Sequence, residues 1–301
     1  MRRPIRNCWN AERELVNDEG KTRYAISTRL MITRNDIVAG LRRVGIAPGD
    51  LVFFHTSLRS FGDRIEDGVE GLIDATLEAV QPGGTIAAPT HLGPSPEPFD
   101  PARSPVSPGM GVAPQALAAR PEGRRSLHPT HSAAAIGAEA DWLVEGHEAA
   151  GAVGPGSPLD KLRLRPEGKV VLYGVGLNRM TLIHLAESRA PAPYIGVPFR
   201  EGRPDKALVV KEGKIIEVSL AQNPGCSAGF GAAERPLREA GLIRETQIGA
   251  ARVWAIAAGA AVDVAIGLVR RDGAFLLAPP DHCYFCRRAH ERVRQAKACP
   301  T

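Results

Sequence analysis

Two apolar, strand-like runs bracket an amphipathic helix in the first third of this chain, and that order constrains the fold more than any other feature. Leu51–Phe54 reads as a buried strand, and Thr85–Ala88 as another. Between them, Asp67–Val80 places its apolar-face residues at 69, 72, 73, 76, 77 and 80, the 3.6-residue period of a helix lying on a core. Pro82-Gly83-Gly84 stops that helix. Strand, helix, strand predicts a βαβ unit and a parallel sheet. Upstream, Thr33 is placed as an N-cap with Asp36 in the capping-box position, for a helix that ends at Gly45. Pro48-Gly49-Asp50 then turns the chain into the first strand.

Further along, Lys169–Gly176 and Arg252–Ile256 read as strands, and Met110–Ala119, Ala138–His147 and Ala260–Arg270 as helices. Gly151–Pro158 reads as loop, and Ala207–Val218 as a hairpin turning at Glu212-Gly213. The expected class is α/β with α+β character in the C-terminal part. A mixed, partly parallel central sheet is flanked by helices, beside a smaller antiparallel lobe. A chain of 301 residues with 44% hydrophobic residues can bury a large core. Residues 1–30 read as a charged N-terminal extension with Trp9 as its anchor, and 31–301 as one domain closed by a Cys/His clip at about 280–301. The stretch Leu92–Pro108 is rich in Pro and Ser and has no period, which predicts a disordered insert or a lid.

Chemistry-bearing residues concentrate in four segments. Thr181-Leu-Ile-His184-Leu-Ala-Glu187 follows a glycine-bearing strand end; if helical, His184 and Glu187 emerge one turn apart on one face. An imidazole delivered with a carboxylate is the usual setting of a general base. Arg125-Ser126-Leu-His128-Pro-Thr130-His131-Ser132 is dense in proton-handling groups. His55-Thr-Ser57-Leu58-Arg59-Ser60-Phe-Gly62 follows the first strand, and Pro89-Thr90 ends the second, with His91 just beyond.

These motifs, in this order, resemble the aminoglycoside 3-N-acetyltransferase family, also called the antibiotic N-acetyltransferase family. The resemblance runs from Thr33 to Glu187, through Pro82-Gly-Gly-Thr85 and Gly156-Ser-Pro158, and thins beyond. It implies acetyl-CoA as donor and a small-molecule amine, an aminoglycoside or a different natural-product amine, as acceptor. It further implies His184 as the base and Glu187 as its orienting carboxylate or a binder of the cationic substrate. Oxyanion donors would be the Thr90 hydroxyl or backbone N–H groups of the Thr56–Ser60 loop. The donor's pantetheine arm would lie along Ser57, Leu58, Arg59, Ser60 and Gly62 and near Arg125, Ser126, His128, Thr130 and His131. Arg59 and Arg125 are the expected phosphate partners, ahead of the helix opening at Asp67-Gly68, whose acids count against it. A wall for a polycation would draw on Glu97, Asp100, Asp141, Glu145, Glu187 and Glu201.

A net charge of +5 suits a phosphate-rich ligand, but no basic stripe interleaved with aromatics points to nucleic acid. No apolar run approaches the ~20 residues of a membrane span. The basic N-terminus lacks a following apolar core, so a cytoplasmic location is expected. The sequence is silent on oligomeric state. Of five Cys, Cys8 and Cys299 sit near the termini. His282-Cys283-Tyr-Phe-Cys286 has a spacing that wraps a tetrahedral zinc, with Cys226 as a third thiolate and His282 or His290 as fourth ligand. Free thiols and a disulfide are the alternatives. A zinc hydrolase built on His128, His131, His184 and Glu187, and a non-catalytic binding protein, are the rival functions.

Overall fold

The computed structural model describes residues 31–93 and 95–298, together with the strands β1 (Glu14–Val16) and β2 (Thr22–Tyr24), which pair antiparallel. Trp9, Cys8 and Cys299 lie outside the described residues.

The chain continues through α1 (Arg34–Arg43), β3 (Leu51–Thr56), α2 (Gly68–Val80), β4 (Thr85–Pro89) and α3 (Val112–Ala119). It then forms β5 (Arg124–Arg125), β6 (Ala133–Gly137), α4 (Ala140–Val144), α5 (His147–Ala150), α6 (Pro158–Leu164), β7 (Gly168–Tyr173) and α7 (Ile183–Arg189). The C-terminal part adds the hairpin β8 (Lys206–Lys211) and β9 (Lys214–Ser219), α8 (Glu234–Glu239), β10 (Ile243–Ile248), β11 (Ala251–Ala257), α9 (Ala258–Arg271) and α10 (Tyr284–Ala298).

The seven-stranded sheet has the order β10-β11-β7-β3-β4-β6-β5. Its middle, β7-β3-β4, is parallel, and each side is completed by antiparallel strands. Residue alternation explains the layers. Phe53, Val170, Leu172 and Trp254 face one apolar cluster, with α4, α6, α7 and α9 over it. Val52, Phe54, Val171 and Tyr173 face the other, under α1, α2 and α3. Strands buried on both faces read as continuous apolar runs, which is why β3 and β7 were legible.

Local signals held where they were strong. Thr33 accepts from the Asp36 N–H while the Asp36 carboxylate accepts from the Thr33 N–H, the reciprocal capping box. Glu212 and Gly213 turn the β8–β9 hairpin with φ of 51° and 75°. The expected helix Ala138–His147 is instead two short ones, α4 and α5, separated by Gly146 at φ 74°. Part of the expected loop 151–158 begins α6, capped by the Ser157 hydroxyl. Strands β5, β6 and β10 and helix α8 had not been expected.

The segment Leu92–Pro108 has a definite place. The Phe99 N–H donates to the Leu208 carbonyl and its own carbonyl accepts from the Val210 N–H, both at 2.8 Å. Phe99 is buried against Val209, Val218 and Leu220. Phe99 thus docks beside the small hairpin sheet through a single parallel bridge to Val209, and the chain around it walls the cleft described below.

Candidate active site

The carboxyl ends of the three parallel strands converge on one cleft of about 1000 Å³. Its lining includes His55–Arg59 from the end of β3 onward, Pro89 at the end of β4 with His91–Gly93 beyond it, and Val175, Asn178, Arg179 and Thr181 after β7. Parallel strands place ligands there because their carboxyl ends open into loops over the sheet edge. Gly174 makes the tight exit from β7 at φ 62°, where a Cβ would collide with the Ser60 hydroxyl.

At the β7 side of this cleft, α7 presents His184 and Glu187 from one face, one turn apart as their spacing predicts. His184 Nδ1 lies 2.6 Å from Glu187 Oε2. Glu187 Oε1 accepts a hydrogen bond of 2.8 Å from the Tyr194 hydroxyl. Both carboxylate oxygens are engaged, and Glu187 is only 2% exposed. Burial and the adjacent Glu187 carboxylate push the Tyr194 phenol far above its ordinary value, so it stays a donor. The Phe230 ring sets His184 edge-on at 4.6 Å. With Nδ1–H held by the carboxylate, the lone pair falls on Nε2, and His184 is part of the cleft wall.

Six of the eight histidines gather in and behind this wall. Burial first, then neighbouring positive charge, lowers His55 and His91 to about 3. The same causes hold His128 and His131 well below the ordinary histidine value. Burial takes His147 to about 4. These are neutral imidazoles at physiological pH. His147 stacks on His128 at 4.8 Å and holds the Ser126 hydroxyl at 2.8 Å. His128 Nδ1 accepts from the His131 N–H, and Thr130 Oγ1 lies 3.0 Å from His131 Nδ1 and accepts from Asn223.

Among the residues expected at the site, Ser57, Leu58, Arg59, Thr130, His131 and His184 line the cleft. Ser60, Gly62, Thr90, Arg125, Ser126 and His128 do not, and each has a local reason. The Ser60 hydroxyl donates to the Ser57 carbonyl, and Gly62 ends the short turn at φ 75°. Thr90 is fully buried, with its hydroxyl donating to Ser132 and accepting from Arg125. Arg125 donates to the carbonyls of Thr90, Ser104 and Pro105 and lies 4.7 Å over the Phe99 ring. It is a staple for the Leu92–Pro108 segment. Ser126 and His128 sit behind the wall, buried. The helix opening at Asp67-Gly68 is also away from the cleft.

The expected acidic wall is absent among the described residues. Asp141 pairs with Arg124, Asp100 organises its own loop through the Ala102 N–H and Ser104, and Glu187 is behind His184. Glu97, Glu145 and Glu201 lie elsewhere. The cleft instead holds Arg59, Arg179, Arg200 and Arg203 with Asn178, Asn223 and Phe199. All but Arg59 were missed; Asn178-Arg179 directly after a glycine-rich strand end was the available signal.

A second group lies beneath the cleft floor. Cys226, His282 and Cys283 bring one ligand atom each within 4.8 Å of one another. Cys283 Sγ lies 3.5 Å from Cys286 Sγ. His290 is turned away, bonding the Ala278 carbonyl at 3.0 Å. His128, His131 and His184 form no such group among the described residues, which removes the geometric basis of the zinc-hydrolase reading.

A carboxylate-held imidazole facing a long cleft at the ends of parallel strands defines an enzyme site, and the relatives specify which kind. A family model described as aminoglycoside 3-N-acetyltransferase matches residues 53–270. Aminoglycoside N(3)-acetyltransferase IV from Salmonella sp is 35% identical over 246 residues, covering 82% of this chain and 90% of that protein. Aminoglycoside acetyltransferase AAC(3)-IVa, solved as a histidine-to-alanine variant in complex with a gentamicin, superposes with a TM-score of 0.77 at 32% identity, over 88% of this chain and 99% of that one. AAC-IIIb, solved with CoASH, gives 0.68 at 28% identity, over 80% and 97%. The chain belongs to the aminoglycoside 3-N-acetyltransferase family. It is an acyl-CoA-dependent transferase. Among the described residues no helix is long and apolar enough to cross a membrane.

Proposed function

We propose that this protein transfers the acetyl group of acetyl-CoA to an amine of an aminoglycoside, with His184 as general base. The observation that carries this reading is the His184–Glu187 pair at 2.6 Å, facing the cleft with Nδ1 occupied. His184 Nε2 takes the proton that the amine sheds as its nitrogen bonds to the thioester carbonyl carbon. The carbon–sulfur bond then breaks, and the same proton passes to the departing thiolate. Glu187 and Tyr194 fix the ring. Proton acceptance by a positioned imidazole contributes roughly 10²–10⁴-fold.

Leu58 and Arg59 open a helical turn, whose first N–H groups lack an internal partner and suit the developing oxyanion. Ser57, Thr130 and His131 would flank the pantetheine arm. Arg59, Arg179, Arg200 and Arg203 would take the donor's phosphates. Thr90, Arg125, Ser126 and His128 support these walls from behind. The donor fits a cytoplasmic enzyme. The relatives' names and the gentamicin complex support an aminoglycoside acceptor.

A second acceptor reading rests on one observation: no carboxylate lines the cleft among the described residues. A polycation is attracted by acids, so a less charged natural-product amine fits such a wall by the same mechanism. Thiol release from acetyl-CoA against an amine panel tests both. Turnover with gentamicin-type substrates supports the first, and turnover with other amines alone supports the second. No turnover with any amine, despite bound acetyl-CoA, overturns the proposal.

A further inference from the structure

We infer that Cys226, His282, Cys283 and Cys286 form a structural zinc site that clamps the start of α10 beneath the cleft floor. Three sulfurs and one imidazole are the donor set of a closed structural site. Three of the four residues already hold their ligand atoms within 4.8 Å of one another. The fourth, Cys286, is fully buried and its sulfur stands 3.5 Å from that of Cys283. Zinc–sulfur bonds of about 2.3 Å in a tetrahedron put sulfurs about 3.7 Å apart, so this pair is already at the required spacing. A disulfide would need about 2.05 Å and would leave the third thiol unpaired beside it.

The surroundings suit thiolates. The Ala228 N–H donates to Cys226 Sγ and the Cys286 N–H to Cys283 Sγ, both at 3.5 Å. Such amide bonds orient and stabilise metal-bound sulfur. The backbone is built for close approach: a Cβ on Gly225 would collide with the Phe285 ring, so only glycine lets the Cys226 loop lie against α10.

The clamp has a mechanical consequence for the cleft. Pro224, Gly225 and Ser227 flank Cys226 and line it. Phe285, between Cys283 and Cys286, packs edge-on against Tyr194 at 5.9 Å. Tyr194 in turn holds Glu187. With all four positions filled by protein, the metal has no open site for substrate. It acts as a fastener for this wall.

Elemental analysis of the full chain, purified reduced from zinc-supplemented cells, tests the site directly. About one zinc per chain is expected, lost in Cys283→Ser, Cys286→Ser and Cys226→Ser and kept in Cys8→Ser. Because those variants can misfold, cobalt(II) reconstitution of the wild-type protein gives a second readout. A tetrahedral three-thiolate site shows intense visible d–d bands and thiolate-to-cobalt charge transfer. Wild-type protein with no stoichiometric zinc, and cobalt spectra without charge-transfer bands, would overturn the inference. So would zinc retained in all three cysteine variants. Neither result bears on His184, so this test stands apart from that of acetyl transfer.

Discussion

Tyr194 donates its hydroxyl, at 2.8 Å, to the one oxygen of Glu187 that His184 leaves free. The carboxylate is therefore held from two sides before it orients the imidazole. A buried carboxylate with a single partner would be poorly satisfied, so the phenol completes the hydrogen bonding of the pair that the proposed mechanism uses as its base.

The first prediction follows from that relay. Glu187→Gln should cut kcat by about 10²-fold, since an amide cannot hold the same tautomer reliably. Tyr194→Phe should cut it by about 10-fold with KM for acetyl-CoA little changed. Removing both should cost no more than Glu187→Gln alone, because they act as a unit. Steady-state kinetics on the two single variants and the double variant check this; additive losses would place Tyr194 outside the relay.

The neutral histidines predict acid lability. Unfolded, His55, His91 and His147 titrate near 6.5; folded, burial holds them near 3, 3 and 4. Between those values the unfolded chain binds more protons, so stability is complete above pH 6.5 and falls as pH drops toward 4. The slope is up to about 1.4 kcal/mol per pH unit for each histidine. Urea midpoints measured from about pH 7.5 to about 4.5 should fall steadily once below the ordinary histidine value, and a flat profile would contradict these burials.

Arg125 is predicted to be a staple. Arg125→Ala orphans the carbonyls of Ser104 and Pro105 and leaves that of Thr90 with the Ser132 hydroxyl as its remaining donor. It should destabilise the fold by about 2–4 kcal/mol and open 95–108 to protease. Lysine, with a point charge in place of the planar fork, should rescue little. Limited proteolysis and thermal melts read both effects. Unchanged cleavage would remove this role.

The cleft arginines predict salt-sensitive donor binding. Arg179→Ala and Arg203→Ala should each weaken acetyl-CoA about 10-fold and flatten its dependence on ionic strength. Calorimetric titration at two salt concentrations decides it; equal affinities in variant and parent would send the phosphates elsewhere.

The parallel centre of the fold was legible because β3, β4 and β7 are buried on both faces and the intervening helix has a clean period. The edges were not. Ala133–Gly137 is a strand although Ala-Ala-Ala favours a helix, because pairing with β4 and burial override propensity. Ile243–Ile248, an exposed edge strand with charged residues, shows little apolar alternation. At the site, the one-turn pairing of His184 with Glu187 was readable from spacing, while their expected roles came from the resemblance. Arg125 was not, since its partners are main-chain carbonyls of a distant segment. The cleft residues Arg200, Arg203 and Asn223 come from loops without a motif and meet the site only through the fold.

In the proposed mechanism His184 accepts the amine proton. Thiol release from acetyl-CoA by His184→Ala, compared with the parent at saturating amine, tests it most directly. A kcat lower by about 10²–10⁴-fold is expected, with the donor bound as tightly as before. A variant that binds the donor normally and turns over within about threefold of the parent would contradict it.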